Sequence, residues 1–442
     1  MTGIRGLIRR SAIMGALLTC GGCTVVSMPP STPEPRVRVG PPPEVAVEPS
    51  DPRFDPVRSF EEVRALWVVR YTMTTREAVL DMVEQAASAG INTLIVQVRG
   101  RADAFYRSGL EPRGEAIQEP AGFDPLALVI EEAHRRGMAV HAWVNTHLVW
   151  GPTALPEDPS HLVRAHPDWL AVPRELGREL VAVDPFEPRF VRRLIEHATA
   201  NRHAVEGIYS SPSHPAVQDR VHAVWLDLAV RYDLDGIHFD YIRFPSADYD
   251  YSVGALERFR IWARGMMSED RFQRLDRAYV DDLYAFVDGA PELWNAFRRE
   301  QVTHLVRRIY DDVKAVDPRL VVSAAVIADP DEALRHRFQA WTSWLAEGIL
   351  DIAVPMAYTP DRERFRVLVG MARAAAGDRR RVWAGIGAYM NTASTTMEMI
   401  DIARAERAGG VVLFSYDWAV AEGRGDPADP FLQRVGRARF AR

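Results

Sequence analysis

Residues 234–245 read Leu-Asp-Gly-Ile-His-Phe-Asp-Tyr-Ile-Arg-Phe-Pro. In an extended segment successive side chains point to opposite faces, so Ile237 and Phe239 share one side while His238 and Asp240 share the other. An apolar pair turned towards outer helices and a polar pair turned inwards describe a barrel strand, with Asp240 at its C-terminal mouth. A carboxylate in that position needs partners, because burying an unpaired charge is costly. Asp240 therefore either pairs with Arg243 or His238 in a stabilising network or takes part in chemistry.

The same kind of segment recurs along the chain. β-rich runs occupy about 64–71, 91–98, 138–144, 234–240, 319–326, 349–355, 381–387 and 409–415. Amphipathic windows between them, at 75–89, 123–137, 293–315, 332–346, 363–376 and 395–408, have helical periodicity. Gly90, Gly137 and Gly409 stand just before strands, where a left-handed cap would end the preceding helix. Eight strands each followed by a helix predict an α/β protein of the (β/α)8 TIM-barrel class. A doubly wound sheet is the alternative, but no G-x-G-x-x-G follows the first strand. Long insertions are expected after strands 2, 3 and 4, at about 99–122, 145–190 and 241–290. Those loops rise on the catalytic face of such a barrel, and they carry Phe105, Tyr106, Trp150, Trp169, Phe186, Tyr241, Phe244, Tyr249 and Tyr251. Loop aromatics serve equally as platforms for sugar rings or as packing for the loops themselves.

The flanking sequence sets limits on function. The chain has 442 residues, 47% hydrophobic and 26% charged, with a net charge of −6. That is ordinary globular composition, and the acidic balance argues against nucleic-acid partners. Lys314 is the sole lysine, placed at the end of a helical window, which excludes Schiff-base and phosphate-loop chemistry. Both cysteines, Cys20 and Cys23, precede the folded body, so it has no disulfide, thiol nucleophile or thiolate metal site. Arg5, Arg9 and Arg10 followed by a short apolar run describe an export signal over residues 1–22. Gly21-Gly22-Cys23 resembles a bacterial lipoprotein cleavage box, which makes Cys23 the expected lipid acceptor and Cys20 its rival. Residues 23–58 hold ten of the 30 prolines and read as an extended linker from membrane to enzyme. Residues 59–442 form the expected barrel domain.

Other strand ends carry polar tips. Gln97 and Arg99 share a face in the second strand, followed by Asp103 and Tyr106. His141, Trp143 and Asn145 line one face of the third, the sixth ends Met356-Ala357-Tyr358, and Asp417 follows the eighth. Five such ends imply a polar pocket lined with aromatics. His-x-His is absent and His141 with His238 is a weak ligand set, so neither a metal nor another cofactor is expected. No G-x-S-x-G elbow supports a serine hydrolase. Carboxylate chemistry remains, and glycoside hydrolysis fits it: one carboxyl as nucleophile or base, another as acid.

QVRGRADAFYRS (97–108), HAWVN (141–145), DGIHFDYIRFP (235–245), WNAFRREQV (294–302), VPMAY (354–358) and GGVVLFSY (409–416) together resemble the glycosyl-hydrolase-like 10 family. The resemblance runs from about Val63 to Asp417. It implies a barrel related to glycoside hydrolases in a bacterial envelope lipoprotein, with a polysaccharide substrate, most plainly the glycan of peptidoglycan. By similarity to the α-amylase-type barrels, whose fourth strand ends in the nucleophile, Asp240 is the first choice for nucleophile or base. Those barrels carry arginine where this chain has His238. The resemblance offers Asp329 and Asp417 as general acids, with Glu300 behind them. Arg99, Asp103, His141, Asn145, His238, Tyr241, Arg243 and Tyr358 are the expected substrate-binding residues. A non-catalytic glycan-binding barrel that tethers or senses the wall is the competing reading.

Overall fold

Ala65, Trp67, Ile95, Trp143, Val321, Ala325, Val354, Trp383 and Val412 pack against one another inside a closed ring of strands. Their neighbours in sequence, among them Leu66, Val96, Val144, Phe239, Val322, Ala384 and Leu413, face the surrounding helices. This two-residue alternation is what a barrel requires of its strands. The computed structural model describes residues 61–151, 154–377, 381–421, 425–426 and 428–441. The expected signal, Cys20, Cys23 and the proline linker lie outside them. No described helix is long and apolar enough to cross a membrane.

The eight strands are β1 (Val63–Val68), β2 (Thr93–Arg99), β3 (Ala139–Asn145), β4 (Gly236–Asp240), β5 (Val321–Val326), β6 (Ile352–Pro355), β7 (Trp383–Gly387) and β8 (Gly410–Phe414). Parallel ladders join them in the order β6-β5-β4-β3-β2-β1-β8-β7. The remaining seam, between β6 and β7, is held by isolated bridges at Ala353–Val382 and Met356–Gly385. A side chain at Gly385 would collide with the Pro355 carbonyl at 2.6 Å, so glycine permits this approach. The barrel expectation is therefore met.

Outer helices are α1 (Arg76–Ser88), α2 (Pro125–Arg135), α3 (Pro215–Arg231), α4 (Pro291–Val316), α5 (Trp341–Glu347), α6 (Arg362–Ala376), α7 (Ala393–Ala405) and α8 (Phe431–Arg439). Thr75, Asp124, Asp361 and Thr392 cap four of them by accepting backbone N–H bonds, each worth about 1 kcal/mol. Two expectations need correction. The window 332–346 is broken into Pro330–His336 and α5, because Phe338 takes a positive φ of 54° and Gln339 turns inwards to bond Ile327 N–H and the Ala325 carbonyl. Gly90 and Gly137 have the left-handed cap geometry, but after α7 Arg407 takes it (φ 61°), and Gly409 N–H instead bonds the Val382 carbonyl.

The long insertions are present, and those after β3 and β4 carry their own cores. After β3 come helices Arg174–Leu180 and Pro188–Ala200 and paired strands Leu148–Trp150 and Ile208–Tyr209, around Leu170, Leu176, Phe190 and Leu194. After β4 come helices Val253–Ala263, Glu269–Tyr279 and Ala285–Gly289, around Phe259, Phe272, Phe286 and Trp294. Most loop aromatics prove to be packing: Phe105, Tyr106, Phe244, Tyr249 and Tyr251 are all buried.

Candidate active site

Asp240 ends β4 level with Asn145 of β3, and it is only 7% exposed. The Trp143 indole N–H is shared between Asn145 Oδ1 (2.9 Å) and Asp240 Oδ2 (3.1 Å), while Tyr241 N–H donates to Asp240 Oδ1 at 2.7 Å. Burial pushes the Asp240 carboxyl up to about 6, against the opposing pull of Arg243 and of these two donors. Tyr241 makes the second donor available by adopting a φ of 49°, a left-handed conformation that costs a tyrosine energy and is concentrated at functional sites.

Asp240 sits within a longer polar chain across the barrel mouth. Gln97 Nε2 donates to Asn145 Oδ1 (3.3 Å), and Asn145 Nδ2 to the Gly100 carbonyl (2.9 Å). Arg70, just beyond β1, donates to Gln97 Oε1 (2.9 Å) and to the Tyr71 hydroxyl (2.7 Å), and lies 3.8 Å from Asp103 Oδ2. On the other flank Arg243 is buried, stacks over the Tyr241 ring at 4.4 Å, and pairs with Glu206 at 3.2 Å. Burial would raise Glu206, but Arg243 and the Tyr209 hydroxyl (2.6 Å) outweigh it, and its pKa falls below the usual range.

An aromatic wall stands over β6 to β8. Tyr358 lies 5.5 Å from Phe414 and 5.9 Å from Tyr389, and Tyr389 lies 6.2 Å from Trp418, which is 50% exposed. Phe414 lies 6.4 Å from Trp143, whose indole N–H donates to Asp240, so this wall borders the carboxyl; burial and then the charge of Asp240 raise the Tyr358 phenol. Over β1 to β3 is a cleft of about 310 Å³, whose lining includes Arg70, Tyr71, Arg101, Asp103, Trp150 and His161.

Several predicted site residues fall elsewhere. Arg99 is fully buried: the ladder slips between Gln97 and Arg99, which sets Arg99 beside the outward-facing Val144. Its guanidinium pairs with Glu111 (3.1 Å) and bonds the carbonyls of Asn145 and Thr146, so it braces two loops. His141 is level with Gly236, four residues beneath Asp240, or about 13 Å at the rise of a strand. Burial lowers its pKa to about 4 and keeps it neutral beside Trp383. His238 accepts from Trp67 Nε1 (3.1 Å), so Nδ1 carries the proton and donates to Ser323 Oγ (2.9 Å), which in turn bonds the Ile237 carbonyl. It is a neutral core group.

The expected acids are committed to structure. Asp329 caps the helix Pro330–His336 through Asp331 N–H and Glu332 N–H and lies 3.6 Å from Arg364. Asp417 accepts from Val69 N–H (3.2 Å) and from the Thr72 hydroxyl, tying the end of β8 to the end of β1. Glu300 is exposed on α4 and accepts from Trp262. Arg70, Gln97, Trp143, Glu206, Tyr389 and Trp418 complete the site. Alternation already put Gln97 and Trp143 on the inner face, whereas nothing local marks Arg70 or Glu206. No cluster of three or more potential metal ligands occurs among the described residues.

Comparison with known proteins agrees with this architecture. The chain is 26% identical over 336 residues to the glycosyl hydrolase DigH of Escherichia coli K12, covering 71% of this chain and 66% of that protein. It is 25% identical over 281 residues to the glycosyl hydrolase YngK of Bacillus subtilis, covering 59% and 44%. The match thus spans less than two thirds of either relative. Among solved structures, the glycoside hydrolase domain of PgaB (BpsB) from Bordetella bronchiseptica superposes with a TM-score of 0.58 at 14% identity, over 82% of this chain and 96% of that one. A β-galactosidase from Bacillus circulans sp. alkalophilus gives 0.56 at 13% identity, over 86% and 56%. At such identities these likenesses speak for the fold. The family model for glycosyl hydrolase-like 10 matches residues 62–372, so the chain belongs to that family.

Proposed function

We propose that the protein is a glycoside hydrolase of the bacterial envelope that cleaves polysaccharide, most specifically the glycan strands of peptidoglycan. The observation that carries this reading is Asp240: a buried carboxyl at the catalytic mouth of a (β/α)8 barrel, poised at about 6 between two N–H donors. A carboxyl so tuned holds its proton up to about pH 6 and stays partly protonated closer to neutrality, which suits the protonation of a leaving glycosidic oxygen. This moves Asp240 from nucleophile towards general acid. The complementary role, ionised base or nucleophile, then falls to Glu206, kept charged by Arg243, or to Asp103. Environments that push two carboxyls in opposite directions are the pattern of acid and base partners. Tyr358, Tyr389 and Trp418 offer ring faces to a sugar. Export, a lipid at Cys23 and a proline linker would hold the barrel beside its substrate.

The rival reading, a glycan-binding barrel without catalysis, draws on one observation: Asp329 and Asp417, the acids that the resemblance suggested, are engaged elsewhere. Digestion of purified glycan strands, with product masses read for wild type, Asp240→Asn, Glu206→Gln and Asp103→Asn, separates the two. Cleavage by wild type, lost in Asp240→Asn and in one partner variant while glycan binding persists, supports the hydrolase. Binding without products from the wild-type protein overturns it.

A further inference from the structure

We infer that the cleft over β1 to β3 is a subsite for a sugar that bears a carboxylate, and that Arg101 is the residue that reads this charge. The inference rests on the glycan reading above and adds the residue that would select the carboxylate-bearing sugar. The cleft, about 310 Å³, has room for one substituted sugar ring, with Tyr71 and Trp150 as its apolar surfaces.

Its polar lining is almost entirely committed. Arg113 donates to the carbonyls of Glu119 (2.6 Å) and Pro120 (3.3 Å). Glu115 accepts from Glu157 N–H (2.6 Å), and Asp158 from Ser160 N–H (2.8 Å) and its hydroxyl (2.7 Å). Arg70 is engaged with Gln97, Tyr71 and Asp103. Arg101 is the exception. Its backbone is fixed at both ends, its N–H by Asp103 Oδ1 (2.7 Å) and its carbonyl by His161 Nε2–H (2.6 Å). Its guanidinium, however, has no partner among the described residues. A half-buried cation on a clamped backbone with unspent donors is a receptor for an anion, and the planar guanidinium fork matches a carboxylate.

Two further observations define the ligand. Asp103, Glu115 and Asp158 share the wall, so a polyanion would be repelled and a single carboxylate per site is favoured. Arg70, which lines the cleft, also donates to Gln97 in the polar chain that runs to Asp240, so the cleft opens on the same barrel mouth. A lactyl ether on an amino sugar and a hexuronate both supply the required group.

The test uses the full chain in the Asp240→Asn background, with binding measured by calorimetry. The probes are an N-acetylglucosamine/N-acetylmuramic acid oligomer, its carboxyl methyl ester, an N-acetylglucosamine oligomer of equal length, and a hexuronate-containing oligomer. With Arg101 present, the free acid should bind about ten- to a hundredfold more tightly than its ester, the span of a charge-assisted hydrogen bond. Arg101→Gln should bring that ratio close to one, and Arg101→Lys should leave it in between. Circular dichroism of each variant shows whether it is folded. The muramic and hexuronate arms show which source of carboxylate is preferred. Equal binding of acid and ester, or a preference that survives Arg101→Gln, overturns the inference while the hydrolase reading stands. Failure to bind any of the four probes overturns both.

Discussion

Asp240→Asn should change the pH dependence of stability as well as activity. In the folded protein the carboxyl keeps its proton up to about pH 6, because burial penalises the charge, whereas the ordinary value is 3.8. Between those values the native state binds more protons than the unfolded chain, so this group's contribution falls as pH rises through the window and is constant above it. At 1.36 kcal/mol for each pH unit, the gap corresponds to about 3 kcal/mol, of which roughly 2–3 kcal/mol is lost between pH 4 and pH 8. Asparagine has no proton to lose. It also leaves one of the two N–H donors, Trp143 or Tyr241, facing its amide group, a pH-independent cost of about 1–3 kcal/mol. Denaturant unfolding of both proteins at intervals from pH 4 to 8 separates the contributions. The stability of Asp240→Asn relative to wild type should rise by about 2–3 kcal/mol across the range, most steeply below pH 6. A difference that stays flat, or falls as pH rises, would refute a carboxyl held protonated by burial.

Trp143→Phe keeps the ring but removes the indole donor to Asp240 and Asn145, so the carboxyl should move above 6; the basic limb of kcat/KM against pH should shift upwards. An unchanged profile would mean that this hydrogen bond does not tune the acid. Asp417→Ala unpairs Val69 N–H and the Thr72 hydroxyl and should cost about 1–3 kcal/mol by thermal or denaturant melting, with kcat within about tenfold of wild type. A collapse of kcat with stability intact would restore Asp417 as an acid. Trp418→Ala, half exposed at the end of the aromatic wall, should leave stability within about 0.5 kcal/mol and raise KM several-fold for long oligosaccharides, read by product analysis over a length series.

The barrel was legible because its signal is repeated: a strand buried on both faces has to alternate between core and helix-facing side chains, and this chain does so eight times. Alternation tells which face a residue occupies but not how deep it lies. His141 and His238 were therefore correctly turned inwards yet sit below the level of Asp240. Arg99 was misread because one slipped register moves a side chain to the other face, and nothing in QVRGR marks the slip. Asp329 had a visible alternative meaning, since Asp-Pro-Asp-Glu is a good helix start with proline at the first helical position. Asp417 had none: its donors come from the far end of the barrel sequence. Arg70 and Glu206 join the site through contacts across 27 and 37 residues, which no local pattern encodes.

The seam between β6 and β7 has a consequence for how the molecule comes apart. Continuous ladders fasten every other junction, while this one relies on two bridges, the close approach at Gly385 and scattered bonds such as Ala357 N–H to the Gly385 carbonyl (3.2 Å) and Arg381 to the Leu350 carbonyl (2.7 Å). A ring of staves with one loosely hooped joint opens at that joint first. Excursions short of unfolding should part the wall just where Tyr358 and Tyr389 meet, loosening the aromatic side of the mouth while the β1-to-β4 arc that bears Asp240 stays laced. The least firmly laced line of the cylinder thus runs beneath the aromatic wall, away from the strand that bears Asp240.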